Sequence, residues 1–134
     1  FEKYKFEKIP LAWGSDDLAL LRFSDYGTIH YSKNAKVLVR VFSGSISGSE
    51  NMQSEKELAY NKYLEKLIIN HSSHFPTSFI NSIIEKYLMF CHLNKQSANY
   101  GVAKTVLKNQ GFSNYLKALR KIYYLNQLST DKRL

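Results

Sequence analysis

The chain has 134 residues, room for one domain or at most two small ones, and its 44% apolar share is enough for a sizeable core. A single cysteine, Cys91, excludes an intrachain disulfide, and no apolar run approaches the roughly 20 residues of a membrane span. The net charge of +8 is lopsided: residues 1–67 carry ten Lys/Arg against nine Asp/Glu, residues 68–134 carry nine against two, and no carboxylate side chain occurs from Lys86 to Thr130.

That asymmetry predicts an acidic partner, either nucleic acid (DNA or RNA) or an acidic protein surface, and no membrane. No signal peptide is visible, which favours an intracellular setting, cytoplasmic or nuclear. The chain opens on Phe1 rather than Met, as a processed chain or a piece of a longer one would.

In chain order, residues 1–14 are mixed and aromatic, punctuated by Pro10 and Gly14. DLALLRF (17–23) reads as a strand or a helix, followed by the turn SDYG and then TIHYS (28–32). VLVRVF (37–42) alternates most clearly, with Val37, Val39 and Val41 on one side and Leu38, Arg40 and Phe42 on the other. Residues 1–43 are therefore expected to hold a small antiparallel meander. SGSISGSENMQ reads as a polar loop, with the division drawn at 44–53.

Residues 54–130 form the basic helical part. Ser54 and Glu57 have capping-box spacing, and Leu58, Leu64, Leu67 and Ile68 make an apolar stripe after them. Pro76 is placed to open a second helix, whose apolar face is Phe79, Ile80, Ile83, Ile84, Tyr87, Leu88 and Cys91. A third helix is expected from about Ser97 to Asn109, weakened by Gly101. Gly111 then reads as a left-handed Schellman cap with Leu107 against Phe112, and Ser113 as the N-cap of a fourth helix. In that helix Leu116, Leu119, Ile122 and Tyr123 are expected to face inward. The fold class is α+β: a small antiparallel β-meander followed by a four-helix unit.

The candidate chemistry is concentrated at the end. Lys117, Arg120, Lys121 and Tyr124 share a helix face at i, i+3, i+4, i+7. Cations neutralise phosphates, and an aromatic among them stacks on a base. Lys104 and Lys108 are expected to extend this nucleic-acid-binding patch across the corner. The alternative is an ordinary solvated face, or one that docks an acidic protein. A DNA-reading helix-turn-helix is disfavoured, because glycine would be needed at Leu107 and appears only at 111.

Two catalytic or metal readings are weaker. His71, His74, Cys91 and His92 form two clusters of ligand types, but adjacent Cys91 and His92 point to different sides of a helix. A buried cysteine and surface histidines account for them, so no metal site is assigned. LALLRFSDYGTIHY is similar to a LAGLIDADG-type homing-endonuclease motif, yet Asp25 falls one residue before the position of the metal-binding acid, which is Tyr26. No Gly-rich phosphate loop, G-x-S-x-G or H-E-x-x-H occurs. No cofactor and no catalytic residue are assigned, and a metal-dependent endonuclease is the third reading.

NKYLEKL (61–67), FPTSFINSIIEKYL and VAKTVLKNQGFSNYLKALRKIYYLNQL follow one another in the order seen in a helical family. Over residues 60–130 the chain resembles the late transcription factors of poxviruses and related large DNA viruses. The resemblance implies a non-enzymatic accessory protein of viral transcription, located in the viral factory. The cysteine-rich metal segment of some family members is missing, and residues 1–50 have no counterpart. The run LKNQGFSNY is also similar to the corner of a sterile-alpha-motif interaction domain, which keeps open a protein-interaction module or a structural subunit of a larger assembly.

Overall fold

The computed structural model describes residues 6–34, 36, 38, 42, 45, 46 and 48–130. The chain divides into two compact units, residues 1–63 and 64–134. Among the described residues every regular element is helical, which overturns the α+β expectation. Residues 28–32 form no strand, and Ile29 and Tyr31 are exposed. Two alternating apolar residues define a strand only if a neighbour completes its ladder and covers one face. Within VLVRVF, Val37, Val39, Arg40 and Val41 lie outside the described residues, while Leu38 and Phe42 are exposed.

In the first unit a 3-10 turn, Pro10–Ala12, leads into α1, Ser15–Phe23. Gly14 makes the junction with φ +68°, and a Cβ there would sit 2.5 Å from the Tyr63 ring. Glycine is required on both counts. Ser15 Oγ donates to the Ala12 carbonyl at 2.7 Å. Asp16 and Asp17 lie in the first turn of α1, where the helix dipole favours carboxylates. Burial, with the Asp17 carboxylate second, pushes the Tyr63 phenol pKa up. Arg22 pairs at 2.7 Å with Glu7, whose side chain is only 5% exposed.

Helix α1 ends on a residue no one would choose from sequence. Asp25 has φ +50°, its N–H donates to the Arg22 carbonyl at 3.1 Å, and the Tyr26 N–H donates to the Leu21 carbonyl at 2.9 Å. This is a Schellman closure built without glycine. The turn after it is not followed by a strand in residues 28–34, as the endonuclease motif would need.

Helix α2 spans Gln53–Lys66 and follows directly on a 3-10 turn, Glu50–Met52. Ser54 is therefore inside the helix rather than at its cap, and Glu57 accepts from Gln53 Nε2 at 3.2 Å instead. The chain then widens into a π turn, Leu67–His71, and tightens into a 3-10 turn, Ser72–His74. Leu67, Ile68 and His71 are buried.

The second unit is completed by α3 (Thr77–Leu93), α4 (Tyr100–Gln110) and α5 (Phe112–Thr130). Helices α4 and α5 pack most extensively, and α3 lies against both and against the π turn. The apolar face of α3 is buried as its spacing predicts, except that Phe79 remains 43% exposed. Ala98, Ala103 and Ala118 are buried within it. The Tyr87 hydroxyl ties the unit together: it accepts from the Asn99 N–H at 2.8 Å and donates to Glu65 Oε2 at 3.3 Å. Asn99 Nδ2 donates to Glu65 Oε1 at 3.1 Å. Burial pushes the Tyr87 pKa up, so the phenol stays a donor. Asn126 donates to the Ala98 carbonyl and accepts from its N–H, at 3.1 and 2.6 Å.

The corner differs from the sequence reading. Gly111 has φ +83° and ψ 177°, which is not the left-handed helical conformation of a Schellman cap. Its N–H donates to the Leu107 carbonyl, and its own carbonyl already accepts from Tyr115. One residue both ends α4 and starts α5, so Ser113 is inside α5 and not at its cap. Leu107 and Phe112 are both exposed. The Schellman closure in this unit is at the end of α3, where Lys95 takes φ +49° and the Lys95 and Gln96 N–H groups donate to His92 and Cys91 carbonyls.

Candidate nucleic-acid interface

Helix α5 buries Ala118, Ile122 and Leu125. Leu116 and Tyr123, expected inside, are 40% and 60% exposed. The buried stripe is thus rotated about the helix from the one that the large apolar residues suggest. The reason is packing distance: Ala118 allows α5 to approach its neighbours where a Leu or Tyr would hold it off. Phe112, Leu116 and Tyr123 are left on the outside.

Lys117, Arg120, Lys121 and Tyr124 are all exposed, so the arc of α5 on which their spacing places them is a surface. Among the described residues none of the three cations is engaged in an ion pair. They do not all face one space. Lys117 and Lys121 border a groove of about 220 Å³ between α3 and α5, with Asn81, Gln110 and Asn114 on its rim. Lys121 and Tyr124 border an adjoining pocket of about 440 Å³ with Met89, His92 and Leu125. Glu85 lines both spaces.

Lys104 and Lys108 belong elsewhere. They line a third cleft, of about 500 Å³, between α4 and the π turn, together with Ile69, Asn70, Ser72, Ser73, Gly101 and Thr105. None of those residues borders the α3–α5 groove. The six sequence candidates therefore separate into a pair on α4 and a set of four on α5.

Sequence reasoning missed the groove's opposing wall. Glu85 lies one residue before the carboxylate-free stretch, and the fold sets it among Lys117 and Lys121. His92 and Met89 join Tyr124 from α3, which no spacing within α5 could have revealed. Nor did any motif link Ser72 to Lys104.

The metal clusters are not assembled. Among the described residues no group of three or more His, Cys, Asp or Glu is placed to hold a metal ion. His71 and Cys91 are buried, and His74 and His92 are exposed. No helix among the described residues is long and apolar enough to cross a membrane. No family model matches this chain, and no curated protein or solved structure matches it.

Proposed function

We propose that residues 64–134 form a non-enzymatic nucleic-acid-binding module whose contact surface is the outer arc of α5. Lys117, Arg120 and Lys121 neutralise phosphates, and Tyr124 stacks on an exposed base. The observation that carries the reading is the set of three exposed cations, engaged in no ion pair among the described residues, on one helix flanked by an exposed tyrosine. Cations committed to internal carboxylates would be unavailable to phosphate. Tyr124, beside the open pocket with Met89 and His92, suits an unstacked base better than a duplex edge. The resemblance of residues 60–130 to late transcription factors supports placing this binding in viral transcription.

An electrophoretic shift of the full chain with single-stranded DNA, duplex DNA and RNA, at two salt concentrations, tests the reading. Binding that weakens steeply with salt supports it. No shift with any probe at low salt overturns it.

One observation favours a second reading. Phe112, Leu116 and Tyr123 stand 65%, 40% and 60% exposed on α5, and aromatic side chains flanked by cations are also the composition of a protein-binding surface. A protein partner held by that stripe is retained at high salt, and binding to it is lost on Tyr123→Ala rather than on removal of the lysines.

A further inference from the structure

The cleft between the π turn and α4 is not explained by the α5 surface. Its charged lining is cationic only: Lys104 and Lys108, with no carboxylate among its lining residues. Neither lysine is engaged in an ion pair among the described residues. Ser72, Ser73 and Asn70 line the same cleft.

Ser72 differs from its neighbour Thr105 in this lining. As a residue it is 92% buried, it lines the cleft, and its hydroxyl, with no hydrogen-bond partner among the described residues, is not cut off from solvent. A hydroxyl that meets solvent and is engaged by no protein group can donate to a bound anion. Thr105 is instead committed inward, its hydroxyl directed at the Ile68 and Gly101 carbonyls at 3.5 and 3.4 Å. The π turn opens the backbone at this wall, and such turns recur where a helix has been reshaped around a site. Gly101 forms the other wall: a Cβ there would sit 2.9 Å from Ile69 Cδ1, so the glycine lets α4 come this close.

We propose that this cleft binds a phosphate group. Two ammonium groups supply charge, and the Ser72 and Ser73 hydroxyls supply donors from the opposite wall. A tetrahedral dianion can accept from several directions at once, which a planar carboxylate does less well. The cleft is open to solvent and its volume of about 500 Å³ leaves room beside the phosphate, so a phosphate monoester fits as well as the bare ion. The phosphate comes either from a free small molecule or from the end of a nucleic-acid strand. The inference does not depend on the α5 reading, since the two sites share no residue.

The test is a titration of the full 15N-labelled chain with inorganic phosphate, against sodium chloride at matched ionic strength. The site predicts saturable amide shifts at Ser72, Ser73, Gly101, Lys104 and Lys108, with none at Lys117 or Lys121. Lys104→Gln with Lys108→Gln should abolish saturation, and Ser72→Ala should weaken it by about tenfold, the scale of one hydrogen bond to a charged group. The lysine variants are surface changes, so the site remains testable even if Ser72→Ala perturbs the fold. A second titration compares a 5′-phosphorylated with an unphosphorylated oligonucleotide in the Lys117→Gln, Arg120→Gln, Lys121→Gln background. Preference for the phosphorylated strand assigns the source to a strand end. Equal response, with phosphate still saturating, assigns it to a free small molecule. Shifts that chloride reproduces, or that spread equally to α5, overturn the proposal. A chain that saturates with phosphate but binds no nucleic acid keeps this site and removes the α5 reading; the reverse result does the opposite.

Discussion

The two lysine pairs of residues 64–134 look alike in sequence and differ in surroundings. Lys104 and Lys108 are four apart on α4, and Lys117 and Lys121 are four apart on α5. The first pair borders a cleft lined also by Asn70, Ser72, Ser73 and Thr105, with no carboxylate. The second meets a carboxylate, Glu85, across a groove floored by Ile84, Leu88, Val106 and Ala118. Charge counted along a chain measures neither potential, because the nearest opposing group belongs to another helix. The α4 pair is suited to hold one compact anion. The α5 pair, extended outward by Arg120 and Tyr124, is suited to a long polymer that tolerates a local carboxylate.

The largest expected effect separates the pairs outright. Replacing Lys117, Arg120 and Lys121 with Gln should lower nucleic-acid affinity on the order of a hundredfold near about 0.1 M salt, through three lost phosphate contacts. Thermal stability should stay within about 0.5 kcal/mol, because all three are surface residues. The double Lys104→Gln, Lys108→Gln variant should leave polymer binding at an internal site nearly intact. Equal losses in the two variants would mean that the two pairs form one continuous patch.

Gly111→Val acts on both regions by disturbing the corner that joins their helices. Nothing lies within 4 Å of a Cβ placed there, so the cost is conformational alone. A φ of +83° with ψ 177° is a region open essentially to glycine, and about 1–3 kcal/mol of stability should be lost. Chemical denaturation checks it, and an unchanged midpoint would show that the corner has another conformation.

Gly101→Val strikes only the α4 cleft. Its side chain meets Ile69 and the Asn99 cap, and overpacking of this kind should cost about 1 kcal/mol and abolish the phosphate response while leaving α5 binding alone.

Glu85→Gln acts on the α5 pair alone. Removing one carboxylate opposite Lys117 and Lys121 should tighten nucleic-acid binding about threefold, a modest gain because the groove is open and screened. The phosphate response of the α4 cleft should not change. Weaker binding in this variant would indicate that Glu85 holds the lysines in place or contacts the ligand.

The helices of residues 54–130 were legible because their signals are local and repeated. The face from Ile80 to Cys91 has helical spacing and is buried along its length. The expected meander was not, because TIHYS offers alternation without a covering surface. Helix ends failed for a different reason. Glycine marked a Schellman closure at Gly111 that is absent, while Asp25 and Lys95 form such closures with no sequence signal. Hydrogen bonds and packing at those two ends hold residues that propensity disfavours. Which face of α5 points inward was misread because residue size was taken as the guide, and Ala118 shows that closeness decided it. The candidate site was half legible. The exposure of Lys117, Arg120, Lys121 and Tyr124 follows from their spacing, but Glu85, His92 and Ser72 reach their places only through tertiary packing.

The most direct test of the central claim is the salt dependence of nucleic-acid binding by the full chain beside the Lys117→Gln, Arg120→Gln, Lys121→Gln variant. The affinity of the wild-type chain should fall linearly on a log–log plot, and the variant's slope should be shallower by about three, one for each lost phosphate contact. Wild-type binding that is absent at low salt, or a slope that the three substitutions leave unchanged, would contradict the assignment of α5 as the contact surface.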